Sequence, residues 1–277
     1  MEFKVFLLLA VCTIICTQCN FTTANPLLGP NVRHAELGEF PSVVSIAKTS
    51  SSNRANINDH ICTATAITKS HILGSAHCLY ERLYNNTVIL YGSTALIFTR
   101  AYSIRWWIKF QDWSVYNTRR PEFLENDIAI IKLTEPIQAN FQPSELSFVP
   151  YHELVNEQVT LAGWGISRRR VVTPNMQTSI TKIISNPECE DRITQLNRRR
   201  VIIHHGLFCT YGVPYTLIQN GDIGGPVFHN NKIVGINKHT LPFTSSEFHP
   251  NKVCVHSSIN YYRPFIMEVI SDNFYWD

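Results

Sequence analysis

An all-β fold is predicted for this chain, and three observations predict it. Short apolar or alternating runs recur along the sequence, turn signals separate them, and helical periodicity is confined to one C-terminal segment. The runs are Ser42 to Ala47, Ala64 to Ile67, Thr87 to Leu90, Ile128 to Leu133, Gln158 to Ala162, Thr178 to Ile184, Pro226 to Phe228 and Lys232 to Ile236. Many short strands without intervening helices predict a sandwich or a pair of barrels. Tyr262 to Asn273 differs: Phe265, Ile266, Val269 and Ile270 fall on one helical face with Pro264 in the first turn, which predicts a terminal helix docked on the β-domain. Thr134 to Phe148 contains Pro136 and Pro143 and little periodicity, so it reads as a connector between halves of similar size.

Composition agrees with a folded chain. Of 277 residues, 44% are hydrophobic, 11% aromatic and 16% charged, which excludes a disordered chain. A net charge of +3 is small for this length, so no whole-domain nucleic-acid or membrane-surface binding is implied and any basic site is local. No metal-ligand spacing or cofactor motif is present, and none is expected.

Met1 to Lys4 and the apolar run Val5 to Ile15 have the layout of a signal peptide, so secretion is expected, with cleavage after Cys19 or, preferably, Ala24. The run is short for a membrane span. Either cut leaves Cys62, Cys78, Cys189, Cys209 and Cys254, an odd number in an oxidising compartment. Two local bridges are expected, Cys62 to Cys78 and Cys189 to Cys209. Each closes a loop of roughly 15 to 20 residues, worth about 3 kcal/mol by chain entropy. Cys254 is left over, expected as a buried inert thiol or, alternatively, as the site of a covalent partner or adduct. Asn85 begins a glycosylation sequon, and Asn20 begins another if that segment survives processing.

Three segments carry the chemistry. Gly74-Ser75-Ala76-His77-Cys78 places a histidine before an expected disulfide, and Asn126-Asp127 places an acid at the entrance to a strand. Taken singly, such a His is more often structural and such an Asp more often a turn former. The third segment, Asn220-Gly221-Asp222-Ile223-Gly224-Gly225-Pro226, surrounds one isoleucine with glycines, the mark of a tight turn or close backbone approach.

Together these segments resemble the trypsin and chymotrypsin family of serine proteases. Gly38-Glu39-Phe40-Pro41 resembles its opening strand, Ser75 to Cys78 its catalytic-histidine motif and Asn126 to Leu133 its catalytic-aspartate strand. Leu161 to Gly165 resembles its interdomain turn and Gly221 to Pro226 its nucleophile loop. The resemblance implies two antiparallel six-stranded β-barrels with a C-terminal α-helix. Barrel 1 is expected over about 27–140, barrel 2 over about 150–261 and the helix over about 262–273, after a signal peptide at 1–24.

In that family the position of Ile223 belongs to the nucleophilic serine. An isoleucine side chain has no lone pair and no ionisable proton, so His77, even if oriented by Asp127, has nothing to deprotonate. Loss of the serine costs about 10⁶-fold in turnover in a protease of the same chemistry, about 8 kcal/mol of transition-state stabilisation. The backbone of Gly221 and Ile223 can still form an oxyanion loop around Asp222. The activation sequence is absent, Asn25 to Pro30 standing in its place, so Asp222 needs a partner other than a freed amine. A zymogen-like loop, or one held by a different cation, is expected. The resemblance puts Leu217 at the specificity-pocket floor, Lys238, His239 and Thr240 on the substrate strand, and Cys254 near the pocket wall. A bulky or charged lining obstructs substrate side chains.

Arg168, Arg169 and Arg170, Arg198, Arg199 and Arg200, and the pair Arg119-Arg120 form local basic clusters. They read either as solvated loop charge or as a docking patch for a polyanion or an acidic partner. The functional expectation is a secreted, non-catalytic protease homolog that binds an extracellular protein partner, of the kind found in melanisation or coagulation cascades, innate immunity, venom or saliva. A weak residual hydrolase and an adhesive or antimicrobial module using the arginine loops are the alternatives.

Overall fold

A computed structural model of the protein describes residues 27–49, 56–80, 82–121, 123, 125–138, 141–165, 171–243, 249–271 and 273–276. The signal segment, Asn20 and Arg168 to Arg170 lie outside the described residues.

Six strands close the first barrel: β2 (Val43–Lys48), β3 (His60–Ala66), β4 (His71–Gly74), β5 (Thr87–Tyr91), β6 (Arg100–Lys109) and β7 (Ala129–Leu133), in the order β2-β3-β4-β7-β6-β5. The second holds β8 (Gln158–Gly163), β9 (Gln177–Ile184), β10 (Leu207–Tyr211), β11 (Pro226–His229), β12 (Lys232–Leu241) and β13 (Val253–Ser258). They run β9-β10-β13-β12-β11-β8, and pairing of β8 with β9 closes the ring. A short strand, β1 (Arg33–His34), adds to the outside of β9. The expected pair of six-stranded antiparallel barrels is therefore what forms.

Alternation builds these strands. In β6, Tyr102, Ile104 and Trp106 are buried while Ser103 and Arg105 face out. β7 buries Ala129, Ile130, Ile131 and Leu133 around a partly buried Lys132, and its Ile131 packs with Val44, Ile46, Ile72 and Ile89 inside barrel 1. Leu161, Ile183, Phe208, Val227 and Val234 fill barrel 2. A third cluster includes Trp106, Ile128, Trp164, Ile236 and Tyr262 with Phe265 and Val269 of the C-terminal helix.

Three α-helices occur among the described residues: α1 (Phe110–Tyr116), α2 (Asn186–Asn197) and α3 (Arg263–Val269). The C-terminal helix is shorter than the sequence pattern predicts, its cap falling at Ile270. Phe265, Ile266 and Val269 are its buried side chains, with Pro in the first turn. Both expected disulfides, Cys62–Cys78 and Cys189–Cys209, are present, and Cys254 is a free, buried thiol.

Candidate active-site cleft

The register of barrel 1 brings His77 and Asp127 together. β4 pairs with β7 so that Gly74 faces Ala129, and the residues just beyond the pair, Ser75 to His77 and Asp127, meet at one barrel end. Ser75 caps a short 3₁₀ turn, Ala76–Leu79, by accepting the His77 N–H at 3.1 Å. One oxygen of Asp127, Oδ1, accepts from the Ser75 hydroxyl and from the His77 backbone N–H at 2.8 Å. The carboxylate thus holds the backbone of His77. The exposed imidazole has no hydrogen-bond partner among the described residues. Asn126 anchors the same segment from behind, accepting from the Tyr262 hydroxyl at 3.0 Å.

Across the cleft, the loop containing Ile223 is fixed by its backbone. Gly221 and Gly224 have φ of +91° and +81°. A Cβ on Gly224 would lie 2.6 Å from the Thr63 carbonyl oxygen, so glycine is required for close approach to barrel 1. The Gly221 carbonyl accepts from Thr63 N–H at 2.7 Å, Thr63 Oγ1 at 2.8 Å and His60 Nε2 at 3.2 Å. His60 Nδ1 in turn meets Ser45 Oγ at 2.7 Å, and burial pushes the imidazole down to about 4, so it is neutral at physiological pH.

Within the loop, Asp222 N–H donates to Gln219 and Gly224 N–H to Asn237, whereas Gly221 and Ile223 N–H have no acceptor among the described residues. These two donors are the ones expected to receive an oxyanion. The half-buried Ile223 side chain packs against the barrel 1 core that contains Cys62, Cys78 and Leu79. Its carbonyl oxygen lies 3.9 Å from Cys78 Sγ, the residue next to His77. The three segments singled out in the sequence therefore converge.

Asp222 is fully buried. Its Oδ2 accepts from Gln219 N–H at 3.0 Å, while Oδ1 has no partner among the described residues and faces Gly163, where a Cβ would come within 2.8 Å. Burial pushes the carboxyl up to about 8, which leaves it largely protonated at neutral pH. No cation pairs with it among the described residues. Leu27 is fully buried in the barrel 2 core, and Leu28 exchanges both backbone hydrogen bonds with Leu217 at 2.9 and 2.8 Å.

Leu217 itself is fully buried. Cys254 Sγ lies 3.2 Å from the Thr216 carbonyl oxygen, and burial pushes the thiol up to about 12, so it is not a nucleophile. Lys238 does not project as an obstructing charge: its ammonium donates to the Glu125 carbonyl at 2.6 Å and lies 3.7 Å from the Glu125 carboxylate. His239 packs near Phe243 at 5.1 Å, and burial and the Lys238 charge push it down to about 4. Thr240 Oγ1 donates to the Ile218 carbonyl at 2.9 Å.

A sequence model described as Trypsin matches residues 30–266. The chain belongs to the trypsin family. This trypsin-family chain is 25% identical over 226 residues to phenoloxidase-activating factor 3 of Holotrichia diomphalia, covering 76% of the chain and 62% of that relative's own length. It is 27% identical over 224 residues to a venom serine protease of Polistes dominula, covering 76% of the chain and 73% of the relative. Among solved structures, neuropsin, a serine protease of mouse brain, superposes with a TM-score of 0.69 at 19% identity, over 87% of this chain and 99% of its own. The scabies mite inactivated protease paralogue S-D1 superposes at 0.70 and 19%, over 89% and 99%. At that identity the superpositions speak to fold alone.

Outside the cleft, Asn85 is exposed in a 3₁₀ turn, Tyr84–Asn86, as a glycosylation acceptor requires. Sequence reading missed His60 and Thr63, the two residues that fasten the Gly221 carbonyl. Their partners lie 161 and 158 residues away, so no local pattern marks them.

Proposed function

We propose that this trypsin-family chain is a secreted, non-catalytic homolog that works by binding an extracellular protein through its assembled but inert cleft. One observation carries the reading: the position that follows Gly221-Asp222 in the loop is Ile223, a hydrocarbon. No neighbouring group substitutes for a hydroxyl, since Ser75 is committed to Asp127 and the Cys254 thiol is buried in barrel 2. The unaligned His77 imidazole also lacks the carboxylate contact that a general base needs to hold its tautomer. Two features remain useful for binding. The free N–H groups of Gly221 and Ile223 can receive a partner's carbonyl oxygen, and the glycine-rich loop presents them rigidly.

Such a partner is a protease, a zymogen or an inhibitor of an extracellular cascade. The names of the relatives, a phenoloxidase-activating factor and a venom protease, support that setting, and the two disulfides support an oxidising compartment.

The test is labelling of the purified secreted chain with a fluorophosphonate, alongside a panel of peptide substrates and a pull-down from the fluid of origin. No covalent label, no turnover and capture of a cascade component are expected. Stoichiometric label or turnover abolished by His77→Ala would overturn the proposal.

A further inference from the structure

Five of the exposed arginines lie on two segments that the sequence separates and the fold joins. Arg119 and Arg120 follow α1, and Arg198 to Arg200 follow α2; all five are exposed. The join is an aromatic stack: the Phe123 ring lies on the His204 imidazole at a centroid distance of 3.9 Å and an interplanar angle of 29°. Tyr261 packs edge-on against His204 at 5.7 Å and closes the cluster. Phe123 lies three residues after Arg120 and His204 four after Arg200, at most about 10 and 14 Å of extended chain.

Each arm is held at its base. The Arg119 guanidinium sits over the Trp113 ring at 4.8 Å. On the other arm, Arg198 caps α2 in the left-handed region at φ +56°, its N–H donating to Thr194 at 2.7 Å. The returning chain is pinned by Ile203 N–H on Glu190 Oε1 at 2.8 Å. The arginines therefore stand at the negative end of the α2 dipole, projecting to solvent.

None of the five has an acidic partner among the described residues. Of the described acids nearby, Glu190 accepts from Ile203, Glu188 pairs with Arg192, and Glu125 pairs with Lys238, while Glu122 lies outside the described residues. Asp191 is exposed on α2, but two turns before Arg198, about 10 Å along the axis. In a chain of net charge +3, five exposed guanidiniums with no acidic partner among the described residues are a strong local excess.

We infer that the Phe123–His204 stack unites these two arms into one binding face for a sulfated glycan. Guanidinium forks match sulfate oxygens two at a time, and Arg holds its charge at every relevant pH. Two arms set apart by an aromatic hinge fit an extended polyanion that touches both, rather than a single small anion. The face lies on loops after α1 and α2, so it operates whether or not the cleft is inert.

Calorimetric titration of the full secreted chain with a heparin octasaccharide tests this, across a salt series that includes physiological strength. Binding that persists at physiological salt is expected. The variant Arg198→Gln/Arg199→Gln/Arg200→Gln and the variant Arg119→Gln/Arg120→Gln should each lose about tenfold or more in affinity and flatten the salt dependence. In the unmodified chain the octasaccharide should protect both arginine sets together from phenylglyoxal, read by mass spectrometry. No binding at physiological salt, an effect of only one set, or protection of only one set would overturn the single face. Equal affinity for an oligoglutamate of matched charge would overturn the glycan in favour of an acidic protein.

Discussion

The two walls of the cleft keep different things. On the barrel 1 wall polar groups set the geometry: the Asp127 carboxylate at one barrel end accepts from the Ser75 hydroxyl and from the His77 backbone N–H. On the barrel 2 wall the backbone sets the geometry: two left-handed glycines, a fully buried acid and two N–H groups without an acceptor among the described residues surround an isoleucine. The difference teaches that the loop's shape does not come from its reactive side chain. It comes from glycine φ values and from the Gly221 carbonyl, which barrel 1 holds through Thr63 and His60.

The sharpest way to break this contrast is Gly224→Ala. The new methyl group meets the Thr63 carbonyl at 2.6 Å and the backbone at φ +81° resists any side chain. A loss of about 3 kcal/mol or more is expected in urea unfolding. A near-neutral result would mean that the loop's shape is set elsewhere.

Thr63→Val comes next. It removes the hydroxyl that donates to Gly221 and accepts from Trp164 N–H at 3.1 Å, leaving a buried donor unpaired. About 1–3 kcal/mol should be lost by the same measurement, with His77 and Asp127 undisturbed in the heteronuclear spectrum.

Asp222 gives a pH signature. Its folded pKa, about 8, lies above its ordinary value of 3.8, so between these limits the folded state binds the extra proton. Its contribution to stability is therefore complete below about pH 4 and is lost as pH rises towards and through about 8. Buried His60 and His256, pushed down to about 4 and about 3, act oppositely: their contribution is lost as pH falls below about 6.5. The difference in melting temperature between wild type and Asp222→Asn isolates the acid. It should move in favour of the variant as pH rises from about 4 to about 8. A flat difference would mean that a cation reaches Asp222, the amine of a chain beginning at Leu27 being the prime case, and N-terminal sequencing would decide it.

Ile223→Ser should have the smallest effect on function, namely none on peptide turnover. A hydroxyl there meets a His77 ring without a hydrogen-bonded carboxylate and an Asp222 with no cation among the described residues. Robust peptidase activity in the variant would show the barrel 1 wall to be fully competent.

Particular elements show what could be read early. β7, a run of Ile and Leu behind Asn126-Asp127, and β8, ending in Ala162-Gly163, are legible because both burial and motif lie in adjacent residues. α2 was not legible: Asn186 to Asn197 is mostly polar, burying only Cys189 and Ile193, and its Ser185 cap at 3.3 Å has no apolar stripe to accompany it. β13 was hidden likewise, because His256, Ser257 and Ser258 are polar yet buried, His256 being satisfied by Thr210 at 2.8 Å and Asn237 at 3.1 Å.

By itself the sequence determined the all-β class, the two disulfide pairs, the convergent motifs and the isoleucine inside the glycine loop, because each is written in neighbouring residues or in the number of cysteines. Only the tertiary structure decided that Asp127 grips the backbone of His77, that Asp222 has no cation among the described residues, that Lys238 turns away to Glu125, and that Phe123 stacks on His204. Those outcomes depend on groups up to more than a hundred residues apart, and a buried charge or a lone pair is settled by whichever partner the closed barrels bring within reach.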